Sequence, residues 1–189
     1  MEKIFLPEPI DNSFSLFKAI KKRKSIRDYS DEPLNIDEIS ILLYSAAKIP
    51  SAGALYPLRF YLYSKNVLNI PFGFYNYNFV EHSLIKLFDD DITQKLLKAC
   101  LNQQSIKKSA AIIIITSINK ITTKRYGERG IRYINMEAGH SSQNIYLVST
   151  SLNIGTVAIG AFIDEEVKNL LRLSEDEYPL YLMPIGRIK

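Results

Sequence analysis

The pattern of apolar and polar residues predicts helices that alternate with strands. In residues 36–48 an apolar stripe follows the capping box Asn35–Glu38, and a longer stripe runs from Ile131 for about twenty residues and ends before Gly155. Each stripe recurs at steps of three and four residues, which is the period of an amphipathic helix. Residues 110–116 instead form an unbroken apolar run with consecutive isoleucines, which predicts a strand covered on both faces.

Shorter elements complete the predicted order. Helices are predicted over residues 13–22, with Asn12 or Ser13 as the cap, and over residues 92–101 and 165–171. Strands are predicted over residues 58–63, 156–159 and 181–185, and a predicted hairpin joins residues 72–77 to residues 84–88. We therefore expect one α+β domain over residues 1–189, with residues 1–12 as an N-terminal extension.

The composition is that of an ordinary globular protein. The chain has 189 residues, 47% of them hydrophobic and 23% charged, which is enough to bury a core and an interior ligand pocket. Its single cysteine, Cys100, excludes a disulfide within the chain and a multi-cysteine metal site. Residues 1–9 contain no apolar stretch of signal-peptide length, and no apolar run is long enough to cross a bilayer. A cytoplasmic protein without a membrane partner is expected.

The net charge of +4 arises from 24 basic and 20 acidic residues. Much of the positive charge lies in two clusters, one over residues 18–27 and one over residues 120–132. Each cluster is compatible with a solvated helix face or with an anionic ligand. Neither cluster has aromatic residues interleaved as a stacking platform, and no helix-turn-helix, zinc-finger or RNP motif is present. Nucleic-acid binding is therefore not expected.

Several enzyme classes lack their motifs in this chain. His82 and His140 are the only histidines, and neither has a spacing that would complete a zinc site with the single cysteine, so no metal site is expected. The GxSxG elbow, the GxxxxGK[ST] loop and a GxGxxG turn after a strand are also absent. His140 lies on the long predicted helix, where a structural role in helix packing or a dimer interface is expected.

Two segments have the composition of a binding site for an anionic, planar ligand. Residues 23–27 place three cations and one hydroxyl group at a helix exit, where arginine can bind a phosphate through two parallel hydrogen bonds. The proline-bracketed loop Pro50–Pro57 contains Gly53 among small residues, so its backbone can approach a ligand closely. Taken alone, the first segment also fits a solvated helix end and the second a structural turn.

The order of several short motifs resembles the SagB-type dehydrogenase branch of the nitroreductase superfamily. The resemblance covers roughly residues 22–187 and is carried by the segments 23–29, 31–34, 50–57, 73–77, 126–133, 137–144 and 159–162. It implies an FMN-binding α+β fold with a central mixed sheet flanked by helices and a long central helix at the dimer interface. It also implies a homodimer whose flavin sites are built from both chains.

The resemblance assigns flavin contacts to particular residues. Those expected to hold the phosphate and ribityl chain are Arg23, Lys24, Ser25 and Arg27, and the C-terminal phosphate contact falls on Arg187. The isoalloxazine ring is expected to meet the partner's loop segment Pro50, Ser51, Ala52 and Gly53. An amide from Gln103 or Gln104 would bond the ribityl chain or ring edge, and the backbone of Gly160 and Ala161 would pass near the reactive N5.

The activity implied by the resemblance is a ping-pong hydride transfer through FMN, with NAD(P)H or an organic compound as the donor. Azole-forming members use a Lys-Tyr pair where this chain has Arg125 and Tyr126. Because arginine is much harder to deprotonate than lysine, Tyr126 is the candidate proton donor or acceptor. One alternative is an azoline dehydrogenase that acts with a separate cyclodehydratase. Another is a homologue that binds flavin, or keeps only the fold, without turnover.

Overall fold

A computed structural model of the chain describes residues 2–10 and 13–189, so the predicted cap Asn12 and part of the proposed N-terminal extension lie outside it. One seven-stranded sheet forms its centre, in the order β1-β4-β3-β2-β5-β7-β6. Its strands are β1 (Lys3–Phe5), β2 (Leu58–Ser64), β3 (Gly73–Asn78), β4 (Ser83–Phe88), β5 (Ala111–Ile118), β6 (Ile154–Thr156) and β7 (Glu177–Arg187). Neighbouring strands pair antiparallel throughout, and within the described ranges parallel pairing is limited to an isolated bridge between Leu34 and Val67.

The described part of the chain has seven α-helices. They are α1 (Leu16–Lys22), α2 (Ile36–Ala47), α3 (Thr93–Ala99), α4 (Ser105–Lys108), α5 (Asn119–Tyr126), α6 (Arg129–Ser151) and α7 (Asp164–Leu170). Five of them pack on the two faces of the sheet, while α1 and α5 pack against α6. The isoleucines of β5 alternate between two hydrophobic clusters. Ile113 and Ile115 pack in the cluster that includes α2 and α6. Ile112 and Ile114 pack in the cluster that includes α3, α4 and α7. The prediction of a strand buried on both faces is thus confirmed.

The two amphipathic helices form where the sequence pattern predicts them. At the start of α2, Asn35 Oδ1 accepts from the Glu38 backbone N–H at 2.9 Å, and Glu38 Oε2 accepts from the Asn35 N–H at 2.9 Å. These two bonds satisfy amides that have no partner within the helix. The long helix α6 begins two residues before Ile131, the first residue of its apolar stripe.

Other boundaries differ from the sequence prediction. Helix α1 begins at Leu16, because Ser15 caps it by accepting from the Lys18 N–H, whereas Ser13 has a left-handed φ of 54°. Strand β6 begins two residues earlier than predicted and ends at Thr156. Ile159, the last residue of the predicted strand, makes only an isolated bridge to Leu182. Strand β1 and helices α4 and α5 have no counterpart in the prediction. The three residues of β1 are too few to show the alternation of apolar and polar residues that predicts a strand. Helix α5 is largely polar and lacks the broad apolar face that predicts a helix.

Lys65 holds the short helix α4 against the end of β2, and its burial makes its contribution to stability dependent on pH. Its Nζ donates to the carbonyl oxygens of Ile106 at 2.7 Å and Lys107 at 3.0 Å. Burial lowers the pKa of Lys65 to about 8, and the charge of Asp91 opposes this lowering in part. In the unfolded chain the pKa of Lys65 is 10.5, so above about pH 8 Lys65 is protonated to a greater extent in the unfolded chain than in the folded one.

We expect the contribution of Lys65 to stability to increase as the pH rises through this window. The difference in unfolding free energy between the wild type and Lys65→Met should shift in favour of the wild type by about 1–2 kcal/mol between about pH 7.5 and about pH 9.5. Urea unfolding at both pH values measures it. Lys95→Met, on the exposed side of α3, is the control. A difference that does not change with pH would contradict the expectation.

Candidate functional site

The basic segment 23–29 crosses one end of the sheet where two glycines lie side by side. Gly155 of β6 and Gly186 of β7 are direct partners in the sheet. A Cβ at Gly155 would lie 2.7 Å from Cγ2 of Ile26, and one at Gly186 would lie 2.9 Å from Cβ and Cγ of Tyr29. The missing side chains therefore leave the room in which this segment packs.

Hydrogen bonds fasten the same segment to the sheet. The N–H of Ile26 donates to the carbonyl oxygen of Thr156 at 2.9 Å, and the N–H of Ser30 donates to that of Arg187 at 3.0 Å. The buried hydroxyl of Tyr29 lies 2.9 Å from the carbonyl oxygen of Ile26 and 3.1 Å from that of Pro184. Burial raises the pKa of this hydroxyl far above its usual range, so it remains a hydrogen-bond donor.

Tyr146 of α6 supports the other side of the segment. Its Oη accepts from the N–H of Ala158 at 2.8 Å and lies 3.0 Å from Ser25 Oγ. The guanidinium of Arg23 lies over the Tyr146 ring, 5.2 Å from the ring centroid. Lys24 lines a cavity of about 420 Å³ that Tyr146 and Thr156 also line. Two predicted site residues are thus held in place by a tyrosine that sequence reasoning did not single out.

The charges along the segment leave three cations available to an anion. Within the described ranges, no carboxylate forms an ion pair with Arg23, Lys24 or Arg27. The adjacent Asp28 is instead bound by Lys108 and Lys189, whose hydrogen bonds lower the pKa of that exposed carboxyl group. Unpaired cations beside the exposed Ser25 hydroxyl are the donor set that a phosphate monoester requires, so these residues fit the FMN phosphate.

Arg187 differs from the other predicted phosphate contacts. Its guanidinium pairs with Glu38, with Nη1 2.6 Å from Oε1 and Nη2 2.9 Å from Oε2. The same carboxylate closes the capping box of α2. Arg187 therefore joins the end of β7 to the start of α2, and its two terminal nitrogens are engaged by a carboxylate rather than presented to a ligand.

The predicted amide and backbone contacts lie next to each other. Gln103 Nε2 donates to the carbonyl oxygen of Ala161 at 3.0 Å, and Gly160 beside it is exposed. Gln104 points elsewhere, since its Nε2 donates to the carbonyl oxygen of Asn102 at 3.2 Å. Of the two glutamines, Gln103 is thus the one that contacts the segment Gly160–Ala161.

The loop segment 50–53 and Tyr126 form a second group. Gly53 has a φ of 61°, and a Cβ there would lie 2.7 Å from Tyr126 Oη and 2.9 Å from Arg125 Nη1. Behind the loop, Oε1 of Glu137 accepts from the N–H of Ala52 at 2.9 Å. Ser51 Oγ accepts from the N–H of Tyr56 at 2.9 Å, and Pro50 is exposed. The candidate catalytic tyrosine therefore lies directly against the loop that is predicted to meet the flavin ring.

Glu137 is a functional candidate that sequence reasoning missed. It is 3% exposed, and its Oε2 has no hydrogen-bond partner within the described residues. The signal was present in the sequence, because a carboxylate interrupts the apolar stripe between Ile134 and Ala138. A charge at a buried helix position indicates a specific polar partner, and here that partner is the loop backbone at Ala52.

The two groups lie on opposite sides of α6. Tyr146, which holds the basic segment, follows Glu137, which holds the loop, by nine residues of continuous helix. Nine residues correspond to two and a half turns, so the two side chains point in opposite directions and are about 13 Å apart along the axis. One chain therefore presents the basic segment and the loop on different faces.

A larger cavity of about 660 Å³ lies beside the loop, between the end of α2 and the strands β2 and β3. Pairing between β2 and β3 ends at Tyr61 and Asn76, and the strands then separate to follow other partners. Its walls combine aromatic residues, among them Tyr56, Phe60, Tyr77 and Phe79, with aliphatic, amide and charged side chains. Its volume lies within the range of small-molecule sites.

The described residues contain neither a cluster of metal ligands nor a helix that could span a membrane. In residues 2–10 and 13–189, no three His, Cys, Asp or Glu side chains are grouped so as to hold a metal ion. No helix in these ranges combines the length and the apolar character needed to span a bilayer.

Comparison with known proteins yields close relatives. The sequence profile of the Nitroreductase family matches residues 20–187. A protein of Methanocaldococcus jannaschii that is named as a nitroreductase is 41% identical over 188 residues, which are 95% of this chain and 94% of that protein.

Solved structures share the fold. The chain superposes on a protein of Anabaena variabilis, also named as a nitroreductase, with a TM-score of 0.90 at 29% identity. The match covers 100% of this chain but 42% of the Anabaena chain, which is therefore more than twice as long. A third protein of that name, from Desulfovibrio desulfuricans, was solved in complex with FMN. It superposes with a TM-score of 0.69 at 20% identity, over 94% of this chain and 87% of its own.

Proposed function

Since the chain belongs to the nitroreductase family of oxidoreductases, whose α+β fold it shares, we propose that it is a homodimeric enzyme that uses FMN. The observation that carries the proposal is the segment 23–27, which holds three unpaired cations and the Ser25 hydroxyl in a fixed position. In this proposal Arg23, Lys24, Ser25 and Arg27 bind the phosphate and ribityl chain. FMN, when bound, supplies the hydride-transfer chemistry.

A homodimer accounts for the separation of the two groups of site residues. Because α6 directs the basic segment and the loop to opposite sides, the loop Pro50–Gly53 of one subunit would complete the flavin site of the other. Apolar side chains support this arrangement. Leu16, Phe17 and Ile20 of α1 are 64%, 77% and 52% exposed, which is more apolar surface than a short helix leaves to solvent without a partner.

The remaining site residues would orient the flavin ring. In the proposed complex, the bond from Gln103 to Ala161 fixes the backbone that passes near N5, and Gly160 offers no side chain to obstruct it. The 2.9 Å bond from Ala52 to Glu137 holds the loop that would face the ring. Tyr126, beside Gly53, is the candidate to hold or move a proton next to the substrate.

The visible absorption spectrum of the purified protein tests the proposal. We expect a flavin spectrum at about one FMN per subunit that bleaches when NADH or NADPH is added without oxygen. Reoxidation by an added quinone or nitroaromatic compound would then complete the ping-pong cycle. A protein that stays colourless after FMN is supplied would contradict the proposal.

The second candidate is an azoline dehydrogenase of the SagB type that acts with a separate cyclodehydratase. The contact between Gly53 and the Arg125–Tyr126 pair favours it, since the resemblance places the catalytic pair of azole-forming relatives there. In this case the bound flavin would stay oxidised with NADH and NADPH and would bleach with a thiazoline- or oxazoline-containing peptide. Bound flavin that no donor bleaches would instead indicate a homologue without turnover.

A further inference from the structure

Tyr146 connects two parts of the candidate flavin site through one hydroxyl group. Its Oη contacts both Ser25, in the segment proposed to bind the phosphate, and the backbone of Ala158, two residues before Gly160. The bond from Ala158 has a defined direction, because a backbone N–H can only donate. Tyr146 Oη is therefore an acceptor toward Ala158, and its own proton is free for another bond.

The direction of the bond between Tyr146 and Ser25 follows from the chemistry of the two hydroxyl groups. A phenol is a stronger hydrogen-bond donor than an aliphatic alcohol and a weaker acceptor. In the described part of the chain, Ser25 Oγ is the acceptor within reach of the Tyr146 proton. The opposite direction would make the phenol oxygen accept two bonds and leave its proton without a partner. Tyr146 thus donates to Ser25.

We infer that Tyr146 is a positioning residue that orients the Ser25 proton toward the phosphate of FMN. The relay runs from the Ala158 N–H to Tyr146 Oη, from the Tyr146 O–H to Ser25 Oγ, and from the Ser25 O–H to a phosphate oxygen. Because Ser25 already accepts from Tyr146, its own proton points away from Tyr146, and Ser25 is exposed, as are its neighbours Lys24 and Arg27. This inference rests on the proposed function in its identification of the anion as the FMN phosphate.

The aromatic ring of Tyr146 has a separate effect, because Arg23 lies over it at 5.2 Å. Tyr146→Phe removes the hydroxyl group and keeps this contact, whereas Tyr146→Leu removes both. The two substitutions therefore separate the relay from the placement of the guanidinium.

Binding of FMN and of riboflavin, which lacks the phosphate, tests the inference. For Tyr146→Phe and for Ser25→Ala we expect the Kd for FMN, measured by quenching of flavin fluorescence, to rise roughly tenfold. The double variant should be no weaker than Ser25→Ala alone, because both changes interrupt one relay. The Kd for riboflavin should not change, and Tyr146→Leu should weaken FMN binding further.

Each other result overturns a specific claim. Equal weakening of FMN and riboflavin would assign Tyr146 a merely structural role, and additive effects in the double variant would contradict the relay. Unchanged FMN binding in Tyr146→Phe would overturn the inference but leave the proposed function intact. A wild-type protein that binds no FMN would overturn the proposed function itself. Tyr178→Phe, which removes a hydroxyl group from an exposed tyrosine, is the matched control and should bind both ligands as the wild type does.

Discussion

Arg23→Ala and Arg27→Ala are each expected to weaken FMN binding by about 10- to 100-fold, and the double variant to abolish it at micromolar protein. Each guanidinium would make charge-assisted hydrogen bonds to the phosphate, and such a bond contributes about 1.5–3 kcal/mol. Neither arginine has an ion pair to break within the described residues, so the fold should be retained. Flavin content after gel filtration and the Kd from fluorescence quenching measure the effect.

A control arginine distinguishes this effect from a general loss of positive charge. Arg172 forms an exposed ion pair with Asp90, and Arg172→Ala removes the same charge away from the proposed site. We expect this variant to keep its flavin, because Arg172 belongs to neither group of site residues. Stoichiometric flavin in Arg23→Ala/Arg27→Ala would show that this segment does not bind the phosphate.

Gly186→Ala is expected to destabilise the fold by about 1–3 kcal/mol and to release FMN, although residue 186 lies outside the proposed flavin contacts. Its new Cβ would lie 2.9 Å from two atoms of the buried Tyr29, and neither is the end of a flexible side chain. The segment 23–29 must move away from β7, which displaces Arg27 and Ser25 together. Chemical unfolding and the FMN Kd report the two consequences separately.

Gly155 allows the same packing to be tested with a second substitution that relieves the clash caused by the first. A Cβ there meets the side chain of Ile26 at 2.7 Å, so Gly155→Ala should weaken FMN binding as well. Adding Ile26→Ala removes the nearest atom, and the double variant should recover part of the lost affinity. Asn169→Ala, on the exposed side of α7 and outside both groups of site residues, is the control. Flavin binding that survives Gly186→Ala would show that the glycine pair does not hold the segment.

Local features of the chain were readable from its sequence. The capping box at Asn35 and the apolar stripe behind it predicted α2 within one residue, and the isoleucine run predicted the central strand. Residues 23–27 were recognisable as a candidate anion site because their charges are adjacent in the chain. In each case the information lies within a few residues, and local periodicity or local charge is sufficient to express it.

Contacts between distant residues were decided by the tertiary structure. The family resemblance assigned a phosphate contact to Arg187, but the fold places Glu38, 149 residues away, against its guanidinium. The room for Tyr29 depends on Gly155 and Gly186 being partners in the sheet, and the support of Ser25 depends on which face of α6 carries Tyr146. No local pattern encodes these pairs, because each exists only after strands and helices from separate parts of the chain have packed together. The sequence by itself therefore determined the elements and the charges of the site, and packing decided which side chains are free to bind a ligand.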